Sequence, residues 1–332
     1  MPLVVINHGG GGSPTAPAQF GTGDWSVADD GTSGDITITV ITLPSDGGSA
    51  ITDLEYQIDG GSWVSMAGTT TGDYPVSGLT DDVEVDVAIR AVNAIGNGTA
   101  SATKPVTPTL SDPDFASVVL LLGFEGVDGA TATTDESPVG RTMSFSGNAQ
   151  LDTAQFKYGA SSLLLDGTGD YLTSPDSADF DLGSGLFTIE MFIRPASVTG
   201  SQFLVAQWDG IPTLAWVLFL NGAALNWFVS TSGSNFFGDL AGGTLSTGTW
   251  YHVCVDYDGT TYRLYLDGAM VASSTTARAI NNSTDQLHIG SRSGTGSDFF
   301  NGSIDEVRIT KGVGRYVSDG GFTPPAAVFP RS

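Results

Sequence analysis

The chain has 332 residues, of which 40% are apolar and 10% aromatic, so it has the length for two domains and enough apolar surface to build packed cores. Its 12 basic and 36 acidic side chains give a net charge of −24, which excludes nucleic acid and anionic membranes as partners because like charges repel. The one cysteine cannot form an internal disulfide, and no apolar run is long enough for membrane insertion.

Residues 1–17 predict a flexible N-terminal arm. A short apolar stretch, Leu3, Val4, Val5 and Ile6, precedes four consecutive glycines, Gly9 to Gly12, which cannot fix a conformation by themselves. One interpretation is a frayed terminus, and the other is an anchor that inserts into a neighbouring subunit of an assembly. The apolar stretch is too short for the core of a signal peptide, so we expect synthesis without export.

Residues 18–109 predict an all-β domain. Ile36 to Pro44 and Val83 to Asn93 alternate apolar and polar residues, and Leu54 to Met66 forms a hairpin that turns at Asp59-Gly60-Gly61. The stretches Gly47 to Thr52, Ser77 to Thr80 and Arg90 to Gly96 resemble a fibronectin type III module, an immunoglobulin-like sandwich. Val40 and Val85 stand where that family has a core tryptophan and a corner tyrosine, so the resemblance implies a divergent and looser module.

Lys104 to Pro113 contains three prolines and predicts a stiff linker between two domains. From there the second domain, residues 110–332, contains a dozen or so strand candidates separated by glycine-rich turns. They include the ten segments Val118–Phe124, Leu163–Leu165, Thr188–Arg194, Phe203–Trp208, Trp216–Leu220, Leu225–Ser230, Trp250–Tyr257, Tyr262–Leu266, Gln286–Gly290 and Ser303–Thr310.

The sequence of this second domain resembles that of the laminin-G-like jelly roll of the concanavalin A class. The residues that carry the resemblance are the opening Leu-Leu-Gly-Phe-Glu-Gly, the segments Leu163 to Pro195 and Gly248 to Gly268, and the closing Ile-Asp-Glu-Val-Arg-Ile. The resemblance implies an all-β fold used mostly for binding glycans or proteins. Four stretches are, in addition, similar in sequence to domains of this kind in virion proteins of tailed bacteriophages: residues 117–122, 147–150, 158–163 and 166–172.

No motif in the sequence supports a catalytic function. A glycoside hydrolase of this fold class needs two carboxyl groups on one face of a strand, as in Glu-x-Asp-x-Glu, and no such string occurs. Asp305 and Glu306 are adjacent, so their side chains are expected to point to opposite faces of the strand. His252 and Cys254 lie in a strand pattern and are predicted to be packed residues. We therefore expect no enzymatic activity.

The laminin-G resemblance also implies a calcium site. In that family a carboxylate of the opening strand, a group of the next loop and an acid of the closing strand hold one calcium ion, and the matching positions are Glu125, Asp135 and Asp305. Hard carboxylate oxygens suit calcium. The loop reads Asp-Glu-Ser-Pro-Val-Gly and lacks the usual Gly-Asn. The alternative is that these acids cap ordinary turns, so no cofactor is certain and calcium is the one candidate.

Aromatic residues beside loops are the candidates for glycan contact, because the C–H faces of sugars stack on exposed rings. The alternatives for each ring are a place in the core or in a subunit interface. The adjacent pairs stand out, since two large neighbours in a glycine- and serine-rich loop cannot easily both be buried. The candidates are Trp208, Trp227, Phe236, Phe237, Phe299 and Phe300.

These observations favour a non-catalytic structural protein of a bacteriophage virion, a head or tail fibre, spike or decoration subunit, assembled in the host cytoplasm and displayed on the particle. Its expected partners are other virion proteins and a host-surface polysaccharide, and phage fibres in general lead us to expect a homotrimer. The alternative is a carbohydrate-binding or adhesive module of a secreted bacterial protein. A glycoside hydrolase is the third hypothesis.

Overall fold

A computed structural model describes residues 13–31, 34–81, 83–292 and 298–332. Strands dominate, as predicted: within those ranges the only helices are two short 3-10 helices, Phe115–Ser117 and Ala178–Phe180. Neither of them is long or apolar enough to cross a membrane. The chain divides into two compact units, the first ending at Ser111 and the second spanning Asp112–Arg331.

The N-terminal unit is built from two antiparallel sheets. In one sheet the strand order is β1-β2-β5, and in the other it is β4-β3-β6-β7 with β8 also paired to β6. The strands in its described residues are β1 (Trp25–Asp29), β2 (Ile36–Val40), β3 (Ile51–Ile58), β4 (Val64–Ser65), β5 (Gly72–Val76), β6 (Val85–Asn93), β7 (Gly96–Asn97) and β8 (Lys104–Val106).

Alternation places one face of each sheet in a shared core. Trp25, Ile38 and Leu54 are fully buried in this core, and Val40 and Val85 are buried as well. A valine at each of these two positions fills space without the side-chain hydrogen bond that a tyrosine would donate. Membership of the fibronectin type III family stays a prediction.

The linker expected from Lys104 begins later than predicted. Lys104–Val106 form β8, which pairs antiparallel with β6, and Pro105 stands opposite Asp86. A proline is tolerated here because β8 is a short strand at the edge of its sheet. The Lys104 ammonium also donates to the carbonyls of Thr22 and Trp25, so this part of the predicted linker is integral to the N-terminal unit.

The C-terminal unit is a larger sandwich of two antiparallel sheets. The strands in its described residues are β9 (Val118–Leu122), β10 (Ser144–Ser146), β11 (Gln150–Asp152), β12 (Ser162–Asp166), β13 (Tyr171–Ser174), β14 (Phe187–Pro195), β15 (Ser201–Gln207), β16 (Trp216–Asn221), β17 (Ala224–Val229), β18 (Phe237–Gly242), β19 (Tyr251–Tyr257), β20 (Tyr262–Leu266), β21 (Ala269–Ser274), β22 (Leu287–Ile289) and β23 (Asn301–Lys311). One sheet has the order β10-β13-β22-β15-β16-β17-β18. The other has the order β11-β12-β23-β14-β19-β20-β21, with β9 paired to β23.

The core lies between these two sheets, and the alternation along β16 shows how it is filled. Trp216, Leu218 and Leu220 belong to the inter-sheet core, whereas Val217 and Phe219 belong to a separate cluster on the outer face of the seven-stranded sheet. The outer face is therefore apolar as well as the inner one. This second apolar surface positions the candidate site.

A β-bulge interrupts β23 at Asp305 and Glu306. Glu306 has a φ of 50°, and the pairing with β14 shifts register at this point. Asp305 accepts from the backbone amide of Tyr158, and Glu306 accepts from that of Phe329. Tyr158 and Phe329 belong to one apolar cluster outside the eight-stranded sheet. The expectation that the two acids point to opposite faces is therefore wrong, because the bulge breaks the alternation.

Candidate functional site

Aromatic side chains cover the outer face of the seven-stranded sheet at β15, β16 and β17. Phe203 and Phe219 stack with ring centroids 5.1 Å apart, and Phe228 meets Phe219 edge-on at 5.0 Å. Trp208, at the end of β15, joins the same cluster and is 6% exposed. These rings form a rigid apolar floor on the outside of the sandwich.

Phe236 stands over this floor and is 61% exposed. Its ring lies parallel to that of Phe228 at 6.0 Å and edge-on to Trp208 at 6.5 Å. A large ring held at the surface by two others costs free energy unless something covers it. Phe236 is therefore the most conspicuous candidate contact on this face.

The loop that carries Phe236 is held in place by polar contacts. The Asn235 side-chain oxygen accepts from the Ser230 hydroxyl at 3.0 Å and from the Thr231 amide at 3.1 Å. Gly233 has a φ of 77°, and a Cβ at this position would lie 1.7 Å from the carbonyl oxygen of Pro212. Only glycine fits there, so the loop is packed tightly against the segment that follows Trp208.

Two adjoining cavities open beside Phe236. We call the first, of about 230 Å³, the aromatic cleft; it is lined by Phe203, Trp208, Val217, Phe219, Phe228, Phe236 and Arg292. The second, of about 390 Å³, shares Trp208, Phe236 and Arg292 and adds Asp209, Gly210, Ile211 and Leu214.

Polar groups at the rim are few. The Arg292 guanidinium lies 5.4 Å from the Phe203 ring centroid and pairs with Asp298 at 3.0 Å. Among the described residues that line the two cavities, Asp209 is the single carboxylate. The arrangement is suited to binding.

Three of the predicted glycan contacts lie on the outer face of the seven-stranded sheet, and the others point toward the core. Trp208 and Phe236 meet in the aromatic cleft, and Phe299 stacks on Tyr171 at 6.2 Å further along the same sheet. Phe237 packs against the inter-sheet core, with the Arg278 guanidinium 3.7 Å from its ring centroid. Of the pair Phe236 and Phe237, one side chain is thus exposed, as the sequence led us to expect.

Two of the predicted contacts are corrected by the structure. Trp227 and Phe300 are fully buried in the inter-sheet core and present no surface to a ligand or a partner. In β17 it is the neighbouring Phe228 that faces outward, and in the pair of Phe299 and Phe300 the second ring is the buried one. Alternation along each strand decides which of two adjacent aromatic residues is accessible.

Sequence reasoning missed five residues of the cleft. Phe203, Val217, Phe219 and Phe228 lie in predicted strands, where an apolar residue is normally taken as core. The available signal was that Trp216–Asn221 is apolar at every position but the last, which indicates a strand covered on both faces. Nothing in the sequence pattern marked Arg292.

Each of the three residues of the expected calcium site accepts a hydrogen bond from a backbone amide. Asp135 accepts from the amides of Leu121 and Arg141, Glu125 accepts from that of Ala160, and Asp305 accepts from that of Lys157. In the part of the chain that the structure describes, no group of three His, Cys, Asp or Glu side chains could hold a metal ion. The amide contacts favour the alternative interpretation, in which these carboxylates cap turns, and calcium binding stays a prediction.

A buried ionic network lies on the outer face of the eight-stranded sheet. The Glu190 carboxylate accepts from Arg308 at 2.8 Å, from the Tyr316 hydroxyl at 2.8 Å and from His252 at 3.0 Å. Asp112 bridges Arg308 and Arg315 at 3.1 and 2.7 Å. We call these six residues the ionic network.

The charges of the ionic network compensate one another. Burial alone would raise the pKa of the Glu190 carboxyl, but Arg308 and His252 outweigh it and hold the pKa at about 2. Burial raises the pKa of the neighbouring Cys254 thiol well above its usual value, so this thiol is protonated and unreactive. His252 and Cys254 are thus both buried and packed, as the strand pattern predicted.

The predicted anchor, Leu3, Val4, Val5 and Ile6, lies outside the described residues.

Part of the C-terminal unit matches a known protein family. Residues 166–313 match the laminin G family model described as the Concanavalin A-like lectin/glucanases superfamily. The C-terminal unit therefore carries a concanavalin A-like domain, as the sequence indicated.

Among solved structures, two binding domains are similar. The binding domain of Paraclostridial Mosquitocidal Protein 1 is 15% identical with a TM-score of 0.48, and the match covers 59% of this chain and 49% of that one. The botulinum neurotoxin serotype D binding domain is 14% identical with a TM-score of 0.46, covering 60% and 49%. The chain thus spans about half the length of these structures, and a similarity of this degree bears on neither ligand nor activity. No curated protein matches the sequence.

Proposed function

We propose that this chain is a non-catalytic structural protein of a bacteriophage virion whose C-terminal sandwich binds a host-surface polysaccharide at the aromatic cleft. The observation that carries the binding part is Phe236, a ring 61% exposed above an ordered aromatic floor. Sugar rings offer apolar C–H faces to such a ring and hydroxyl groups to the polar rim. Asp209 and Arg292 supply an acceptor and a donor at that rim.

The size and rigidity of the site support this choice. Cavities of about 230 and 390 Å³ are of the order of the volume that one to three sugar rings require. The floor is built on strands β15 to β17 and the loop of Phe236 is packed against Pro212, so little ordering is needed when a ligand binds. A net charge of −24 restricts the ligand further, because it opposes strongly anionic polymers.

The virion part of the proposal rests on the sequence. Four stretches of the C-terminal unit are similar in sequence to segments of tailed-phage virion proteins: residues 117–122, 147–150, 158–163 and 166–172. In addition, a β-sandwich unit precedes the concanavalin A-like one.

We expect Phe236→Ala to weaken polysaccharide binding about fivefold to tenfold, since one stacked ring contributes on the order of 1–1.5 kcal/mol. The measurement is titration calorimetry against the strongest ligand from an array of purified bacterial surface polysaccharides. Phe156→Ala removes another exposed ring of the same unit, 42% exposed and outside the cleft, and should bind like the wild type. Equal affinity of all three proteins, or an array on which the wild type binds nothing, would overturn the proposal.

We expect deletion of residues 1–12 to leave both units folded and to stop incorporation into phage particles, because Leu3 to Ile6 are the predicted anchor. Assembled particles from a host that expresses the shortened chain are purified and probed for it by immunoblot. A matched variant, Leu3→Asp with Val5→Asp, keeps the length of the arm and should fail in the same way. Normal incorporation of either variant contradicts the anchor hypothesis.

A further inference from the structure

A third cavity opens on the outer face of the seven-stranded sheet, at the end formed by β13 and β22. We call it the polar cavity; its volume is about 500 Å³. Six of its lining residues carry the argument: Tyr171, Thr173, Asp209, Asp285, Gln286 and His288. In contrast to the aromatic cleft, its surface is mainly polar, and among the described residues no lysine or arginine lines it.

His288 offers an unused hydrogen-bond acceptor to this cavity. Its neighbours Leu287 and Ile289 point into the core, so the His288 ring faces outward, yet it is only 5% exposed. Its Nδ1 lies 3.2 Å from the Gln286 carbonyl oxygen, which must accept, so Nδ1 carries the hydrogen. Burial lowers the pKa of the imidazole despite the nearby Asp209 and Asp285 carboxylates, so the ring is neutral at pH 7.

The consequence is that Nε2 is unprotonated. Among the described residues the hydrogen bond of this ring is made by Nδ1, and the imidazole lines the polar cavity, so Nε2 is available as an acceptor there. A ligand hydroxyl or ammonium group in the polar cavity would satisfy it. This is the observation that points to a ligand.

One carboxylate of the cavity, that of Asp285, is held in place by the hydrogen bonds that it accepts. Asp285 Oδ2 accepts from the amide of Asp209 at 2.9 Å and from the Thr213 hydroxyl at 2.7 Å, which holds this side chain in one orientation. Asp209 and Asp285 thus place negative charge at the cavity, and no lysine or arginine is among the described residues that line it. An anionic group would be repelled here, whereas hydroxyl and ammonium groups are good partners.

Tyr171 supplies an apolar wall. Its ring stacks on Phe299 at 6.2 Å and 22° and lies 5.7 Å from the His288 ring. The predicted ligand residue Phe299 therefore acts as the support of Tyr171. A ring wall with acceptors around it is the chemistry that recognises one face and the edge hydroxyls of a sugar.

Asp209 lines both the polar cavity and the cavity beside Phe236, so the two sites adjoin on one face of the sheet. We propose that the polar cavity is a second sugar subsite, selective for neutral or amino sugars over acidic ones, and that one oligosaccharide spans it and the aromatic cleft. This inference rests on the proposed polysaccharide binding. It adds the class of sugar and a second set of residues.

The test compares one ligand in two charge states and two variants of one residue. The wild-type chain is titrated with the polysaccharide selected on the array and with the same polymer oxidised at its primary hydroxyls to carboxylates. We expect the oxidised form to bind at least tenfold more weakly. His288→Phe, which keeps a ring against Tyr171 but removes the acceptor, should lose about tenfold for the unmodified polymer, and His288→Gln, which keeps an acceptor, should lose less.

The outcomes separate the two proposals. If Phe236→Ala impairs binding while His288→Phe does not, and the oxidised polymer binds as well as the native one, the subsite is wrong and the proposed function stands. A preferred ligand from the array that is itself acidic also overturns the subsite. If the wild type binds no polysaccharide, both proposals fail.

Discussion

Arg308→Met should destabilise the C-terminal unit by about 3–5 kcal/mol, because it leaves the Glu190 carboxylate buried without its main cationic partner. Glu190 is 0% exposed, and its bonds to His252 and Tyr316 cannot replace a guanidinium. The free energy of unfolding is measured in guanidinium chloride from the labelling of Cys254. This is the one cysteine of the chain and lies buried in β19, so its reaction reports on the C-terminal unit alone.

Two further variants make the result specific. Arg194→Met changes a half-buried arginine of β14 outside the ionic network and should cost less than about 1 kcal/mol. The double variant Glu190→Gln with Arg308→Met removes both charges and should recover part of the loss, because no carboxylate is then left unpaired. If Arg308→Met costs no more than Arg194→Met, the ionic network does not have the stabilising role described here.

The stability of the C-terminal unit should fall as the pH rises from about 4 to about 8, by up to about 1.4 kcal/mol for each pH unit from Asp305 alone. Burial raises the pKa of this carboxyl to about 8. Between the ordinary pKa and this value the native state binds the proton and the unfolded state does not, so raising the pH favours unfolding. Glu190, with its pKa lowered to about 2, acts in the opposite sense and only at more acidic pH.

The measurement is the same unfolding experiment at pH 5, 6, 7 and 8, with a labelling reagent whose thiol reactivity is corrected for pH. Asp305→Asn cannot titrate and should flatten the slope. Asp128→Asn removes an exposed carboxyl of the same unit and should keep it. A wild-type stability that is constant or rises over this range would contradict the protonated state of Asp305.

Most of the strands of the C-terminal unit could be predicted from the sequence, since all ten named segments correspond to strands. The five strands that were missed, β10, β11, β13, β18 and β21, are short or contain glycine and alanine. β18 shows the physical reason. A Cβ at Gly238 would lie 2.6 Å from the Phe228 ring, so glycine is required by the aromatic residue on the next strand. Read along the chain, the same glycine indicates a turn.

The candidate site was predicted less completely, because it depends on strand register. Trp227 and Phe228 are adjacent in β17, and the sequence favoured Trp227 as the ligand contact. Pairing of Trp227 with Leu218 of β16 directs the indole into the core and leaves Phe228 outside, and a shift of one residue would have reversed them. The polar cavity was missed for a similar reason. His288 and Tyr171 are 117 positions apart and meet only because β13 pairs with β22.

Ion pairs to β23 also fix where the C-terminal unit begins and ends in space. Asp112, its first residue, pairs with Arg308, and Arg331, its last, pairs with Glu306 two positions earlier on β23. Both chain ends therefore emerge close together on the eight-stranded sheet, whereas the cleft occupies the opposite side of the sandwich. A unit of this shape can be moved as a cassette between proteins, or inserted into a loop of another, without covering the aromatic cleft.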